Sequence, residues 1–173
     1  MKFYLLFPVI FLVGCDGPYE DLEQKYPKEN ETSVKALTPE SLVLTSQHHR
    51  GAFSFRSMNN VQLEDNAVFI SLDSFFHDSV EIPISSITGC SCTYFDKDNW
   101  DTDLILGKDG IEISIHLSRE TKDWCFKNNL PVITGKQKRD WLYNKEPLPS
   151  FETYVQVDRE DFDYQFKQAC MGY

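Results

Sequence analysis

The chain has 173 residues and a formal net charge of −10, with a mean hydropathy of −0.40. This length suits one domain with a core of its own, and the acidity excludes a nucleic-acid partner, which needs clustered Lys and Arg to neutralise phosphates. The same charge repels anionic headgroups, so attachment to a membrane would have to come from a dedicated anchor.

The first element has the form of such an anchor. Lys2 is followed by an uncharged apolar run from Phe3 to Val13, interrupted only by Pro8. Eleven helical residues would cover roughly half of a ~30 Å hydrocarbon core, which suits a cleaved secretory leader better than a retained span. Small Gly14 then precedes Cys15. The tetrad Leu12-Val13-Gly14-Cys15 resembles the lipobox of bacterial lipoproteins. That resemblance, confined to the first fifteen residues, implies diacylglycerol on the Cys15 sulfur, cleavage before Cys15, and acylation of the new amino group, as by palmitate. Asp16 resembles the retention signal of inner-membrane lipoproteins. The expected location is therefore the cell membrane, lipid-anchored and facing the periplasm, with the outer membrane as the alternative. Two or three acyl chains anchor a protein stably, so no second membrane segment is needed.

Residues 1–14 thus read as a signal peptide, 15–38 as a lipidated N-terminus and acidic tether, and 39–173 as a single globular domain. The tether carries Glu20, Asp21, Glu23, Glu29 and Glu31 with Pro18 and Pro27, and Tyr19 to Tyr26 suits a short helix started by Pro18. As a flexible coil it would hold the body roughly 25 Å from the bilayer. Residues 39–47 fit a helix start at Thr38-Pro39-Glu40 and a strand at Leu42-Val43-Leu44 equally well.

From Ala52 to Leu117 the signal is β. Phe53 and Phe55 alternate with polar neighbours; Val68, Ile70 and Leu72 alternate after an Asp65-Asn66 turn. Val80, Ile82 and Ile84 share a face, and Pro83 assigns that strand to a sheet edge. A strand from Ile87 to Phe95 places Cys90, Cys92 and Tyr94 on one side. Leu104-Ile105-Leu106, a Gly107–Gly110 turn and Ile111–Leu117 form the clearest hairpin, with Ile111, Ile113 and Ile115 inward and Glu112, Ser114 and His116 outward. Ser118 caps a helix to Asn129, stopped by Pro131. Lys136, Lys138 and Arg139 read as a charged hairpin end, and Phe151, Thr153, Val155 and Val157 as a last strand. Asp158 resembles a capping residue for a helix with Phe162, Phe166, Ala169 and Cys170 on its apolar face.

The expected fold is α+β: a mostly antiparallel sheet or small barrel of about seven to nine strands, two helices packed on it, stapled by disulfides. Strands followed by a helix are similar in order to pleckstrin-homology-like barrels. Cys90, Cys92, Cys125 and Cys170 make an even set in an oxidising compartment. Residues i and i+2 of a strand lie roughly 6.6 Å apart, near the limit for a bridge, so Cys125 and Cys170 are each expected to pair with one of Cys90 and Cys92.

Chemistry-bearing patterns are sparse. Asp96, Asp98, Asp101 and Asp103 crowd around Trp100 and form a weak candidate for a hard cation, without the spacing of an EF-hand. His48 and His49 are adjacent and His77 and His116 scattered; the chain has no H-E-x-x-H and no G-x-S-x-G. No cofactor is implied. Trp100 and Trp141, in polar, loop-like surroundings, and the Lys136, Lys138 and Arg139 cluster are the candidate interaction residues. The functional expectation is a non-catalytic binding or assembly module of the cell envelope, with an unidentified protein partner and a membrane anchor. The alternatives are an immunity-type lipoprotein neutralising a periplasmic toxin, whose capture its acidity would steer, or an envelope hydrolase.

Overall fold

The computed structural model describes residues 17–28, 41–49, 51–56, 59–72, 78–96, 99–116, 119–151 and 154–172. The leader, Cys15 and Asp16 lie outside them, as do His77, Asp98, Leu117, Ser118 and Thr153. The described elements are α1 (Pro18–Lys25), β1 (Ser41–Ser46), β2 (Ala52–Arg56), β3 (Asn59–Leu63), β4 (Ala67–Leu72), β5 (Val80–Pro83), β6 (Gly89–Asp96), β7 (Asn99–Leu106), β8 (Ile111–His116), α2 (Arg119–Lys127), α3 (Gly135–Asn144) and α4 (Arg159–Cys170). A short 3-10 turn, Ile84–Ser86, joins β5 to β6.

The strands form two antiparallel sheets, one of five strands in the order β2-β1-β8-β7-β6 and one of three in the order β3-β4-β5. Neither closes on itself, so the barrel is replaced by open sheets. The undecided segment at 41–46 is a strand because β8 offers it a partner: Leu42 faces Ile115 and Leu44 faces Ile113. The hairpin from β7 to β8 turns where expected, with Gly110 in the left-handed region at φ 68°. β5 is an edge strand, as its proline requires.

Leu42, Leu44, Leu104, Ile113 and Ile115 of the larger sheet close one core with Val61, Val68, Ile70, Val80 and Ile82 of the smaller. Tyr19 and Leu22 of α1, Trp124 of α2, and Phe162 and Phe166 of α4 complete it. Cys90 bonds Cys125 and Cys92 bonds Cys170, with Cα–Cα distances of 6.4 and 4.7 Å. Both expected helices are thereby tied to β6. Asp158 caps α4, accepting from the Asp161 backbone N–H at 2.9 Å.

Four described helices stand where two were expected on the sheet and a short third in the tether. α1 lies in the stretch read as tether, yet Tyr19 is 2% and Leu22 0% exposed. Two apolar groups three apart on an eight-residue helix are enough to dock it, so this part of the stretch belongs to the folded body. α3 replaces the charged hairpin end: Thr134 accepts from the Gln137 N–H at 3.2 Å, and Gln137 Oε1 accepts from the Thr134 N–H at 2.9 Å. This capping box starts a helix where the charges suggested a turn. Residues 154–158 are irregular, and Val155 is 79% exposed. None of the described strands pairs with it.

Candidate functional site

β8 is buried on both faces. Its isoleucines face the main core, but Glu112, expected outward, is 4% exposed. The reason is α3, which lies over the second face of the larger sheet and packs Trp141 and Leu142 on Ile105 and Ile133. Gly135 permits the close approach of α3 to the end of α4, since a Cβ there would meet Gly172 Cα at 2.7 Å and the Ala169 carbonyl at 2.9 Å.

One turn into α3, Lys138 turns down onto the strands. Its ammonium donates to Thr93 Oγ1 at 2.7 Å and lies 3.0 Å from Glu112 Oε1, and it also donates to Asp103 Oδ2. The Thr93 hydroxyl donates to Asp103 Oδ2 at 3.0 Å. Strand register explains the convergence. Thr93 is opposite Asp101 on β6 and β7, and Asp103 opposite Ser114 on β7 and β8, with Glu112 one same-face step from Ser114. A single, largely covered cation thus meets two buried carboxylates. Burial first, and Asp103 second, push the Glu112 carboxyl up to about 7, against which Lys138 pulls. Burial would lower the Lys138 ammonium, but Asp103 and Glu112 outweigh it and hold it above the ordinary lysine range. Asp103 Oδ1, fully buried, has no hydrogen-bond partner among the described residues. Beside this cluster His116 Nδ1 and Asp101 Oδ1 pair at 2.6 Å, and burial raises the Asp101 carboxyl despite the histidine.

Above the cluster runs an open groove of about 380 Å³ between α3 and strands β1, β8 and β6. Glu112 and Lys138 lie on its floor; Tyr94, Arg139 and Tyr143 line its rim. Tyr94 is 50% and Tyr143 72% exposed. Tyr and Arg expose large, semi-rigid contact surfaces with a polar end, the composition of binding-interface anchors.

The candidates suggested by the amino-acid pattern, by contrast, scatter. Trp141 is 3% exposed, a core residue of α3 and not a loop anchor. Trp100 is on β7, partly buried, with its ring 5.6 Å from that of Phe166. Lys136 pairs with Asp140 at 2.7 Å on the exposed side of α3, Lys138 is largely covered, and Arg139 alone of the three reaches the rim. Asp101 and Asp103 stand on a strand, engaged by His116 and Lys138, so they do not converge in an open loop; the Asp96 side chain and Asp98 lie outside the described residues. His49 Nε2 pairs with Asp21 Oδ2 at 2.9 Å. Among the described residues no three His, Cys, Asp or Glu side chains are placed to hold a metal ion, and no helix is long and apolar enough to cross a membrane.

Sequence reading missed Glu112, Thr93, Tyr94 and Tyr143. The one usable signal was Thr134-x-x-Gln137, a helix start that would have carried Lys138 onto a face. Against models of known protein families the chain finds no match, and none of the curated proteins matches it in sequence.

Proposed function

We propose that this chain is a lipid-anchored lipoprotein of the bacterial envelope, on the membrane and facing the periplasm, whose body binds a protein partner through the groove beside α3. The anchor part rests on Leu12-Val13-Gly14-Cys15 and is supported by two disulfides, which persist in an oxidising compartment. The observation that carries the binding part is the contrast between floor and rim. The charges of the floor are spent on one another, Lys138 on Asp103 and Glu112, while Tyr94, Tyr143 and Arg139 face outward. Such a surface offers contact area without an activated nucleophile.

The test is capture from detergent-solubilised membranes with wild type, Tyr143→Ala and Arg139→Ala. Each substitution should weaken capture of the same partner at least tenfold and leave the unfolding midpoint within a few degrees. Unchanged capture by both variants would remove the groove from the proposal. A hydrolase is favoured by one observation, a carboxyl poised near neutrality on a groove floor. Hydrolytic turnover by the purified chain that disappears in Glu112→Gln would establish that reading in its place.

A further inference from the structure

We infer that the body is held directly against the bilayer, with α1 as its membrane-proximal element. This rests on the lipoprotein reading of Cys15. An anchor's reach is set by the chain between the lipid and the first residue fixed in the fold. Pro18 is the first residue of α1, and it is buried. Three Cα steps separate it from Cys15, and even fully extended they span only about 11 Å.

The reach is short only if α1 stays docked, and it is fastened along its whole length. Tyr19 Oη donates to the Asp78 carbonyl at 2.9 Å and to the Ile70 carbonyl at 3.3 Å, and its ring packs on Phe55 at 5.9 Å. Leu22 is wholly buried. Glu23 accepts from the Asp78 N–H, and Tyr26 Oη donates to Asp109 Oδ2 at 2.5 Å. Beyond the helix the Tyr26 carbonyl accepts from the Glu81 N–H at 2.9 Å, and the Lys28 N–H donates to the Ser79 carbonyl at 3.1 Å. Residues 18–28 therefore run as a strap across β4 and β5. Peeling them off to make a longer tether would uncover Leu22 and leave Tyr19 without its carbonyls.

Charge does not draw this end of the body to lipid, since α1 opens with Glu20 and Asp21. The short chain enforces the contact, which makes it insensitive to salt, unlike a polybasic attachment. The partner of this surface is the headgroup layer of the bilayer itself. α4 lies on β6, three strand positions from β1, the strand that α1 contacts, so the strand beneath α4 is roughly 14 Å further across the sheet.

The experiment uses the full chain in its own membranes, with photoreactive benzoylphenylalanine replacing Glu20, or Gln24 should that variant fold poorly, and Tyr164 of α4 as the distal position. Phospholipid is labelled with radioactive phosphate, and fatty-acid labelling of the protein is followed in parallel. The expected result is a lipid adduct from α1 and not from Tyr164, unchanged at 0.5 M salt and lost when a 20-residue Gly/Ser segment is inserted between Asp16 and Gly17. Fatty-acid labelling on Cys15 without an adduct from α1 would overturn the close contact and leave the anchor standing. Equal adducts at both positions, or an adduct that survives the insertion, would also overturn it. A chain that takes up no fatty acid, with Cys15→Ser indistinguishable from wild type, would overturn the anchor and this inference together.

Discussion

Glu112→Gln isolates a buried carboxyl whose charged form the fold disfavours. Glutamine keeps the shape and the oxygen that accepts from Lys138, while Lys138 retains Asp103 as its counter-ion. In the folded protein the Glu112 carboxyl is raised from 4.5 to about 7, chiefly by burial and then by Asp103. The folded state therefore holds this proton more tightly than the unfolded chain does. Its contribution to stability is fully present below about pH 4.5 and is lost as pH rises through about 7. At roughly 1.4 kcal/mol for each pH unit of displacement, the wild type should lose about 3 kcal/mol relative to Glu112→Gln between about pH 4 and pH 8. Asp101, raised in the same direction, titrates in both proteins and cancels in the comparison. Lys138, held above its ordinary range, stays protonated throughout. Urea unfolding followed by tryptophan fluorescence, disulfides intact, measures both proteins across that range. A difference between them that does not change with pH, or a wild type that gains on the variant as pH rises, would refute the assignment of a proton to this site.

Two further outcomes follow from the covalent and aromatic framework. Peptide mapping without reductant should recover Cys90 with Cys125 and Cys92 with Cys170, and removing the second bridge by Cys92→Ser with Cys170→Ser should cost about 4 kcal/mol in the chain-entropy account; free thiols at Cys125 and Cys170 in the native protein would contradict it. Trp141→Ala, emptying the cluster with Ile105, Ile133 and Leu142, should cost about 3–5 kcal/mol, and Trp100→Ala, from a partly exposed site against Phe166, clearly less; a neutral Trp141→Ala would return that residue to the surface.

What could be read in advance divides along a physical line. Ile111, Ile113 and Ile115 announce β8 because an alternating apolar face is a local property, and Asp158 announces α4 because a cap acts within one turn. The Cys pairing was constrained because strand geometry separates Cys90 from Cys92. Where a neighbour distant in sequence decides, the pattern misleads. Glu112 stands on the face opposite the isoleucines, as alternation requires, but α3 covers that face with a lysine already aimed at it. Lys136, Lys138 and Arg139 resemble a turn until one sees that three consecutive faces of one helix send them to solvent, to the floor and to the rim. In α1 the acids dominate the composition, while Tyr19 and Leu22 dominate the energetics. Phe151 to Val157 alternates like a strand, but a strand is made by its partner, and none of the described strands pairs there.

The segment after α2 returns to lie beside β6: the Cys90 N–H donates to the Pro131 carbonyl at 2.9 Å, and the Ile133 N–H donates to the Cys90 carbonyl at 2.7 Å. Gly89 is needed there, because a Cβ would stand 2.7 Å from the Pro131 carbonyl oxygen. β6 is the outermost strand on that side of the five-stranded sheet, and outermost strands are templates on which other chains add and polymerise. Here the start of that strand is covered by the protein's own backbone, which bridges Cys90 to Val132, and Cys90 is also bonded to Cys125 of α2. On the opposite side β2 is only five residues long, a short register for a foreign strand. On the lipid anchor proposed above, molecules sharing a two-dimensional surface would collide often and in similar orientations. A strand covered at its start on one side and a brief strand on the other would leave little open edge on this sheet for such neighbours to pair with.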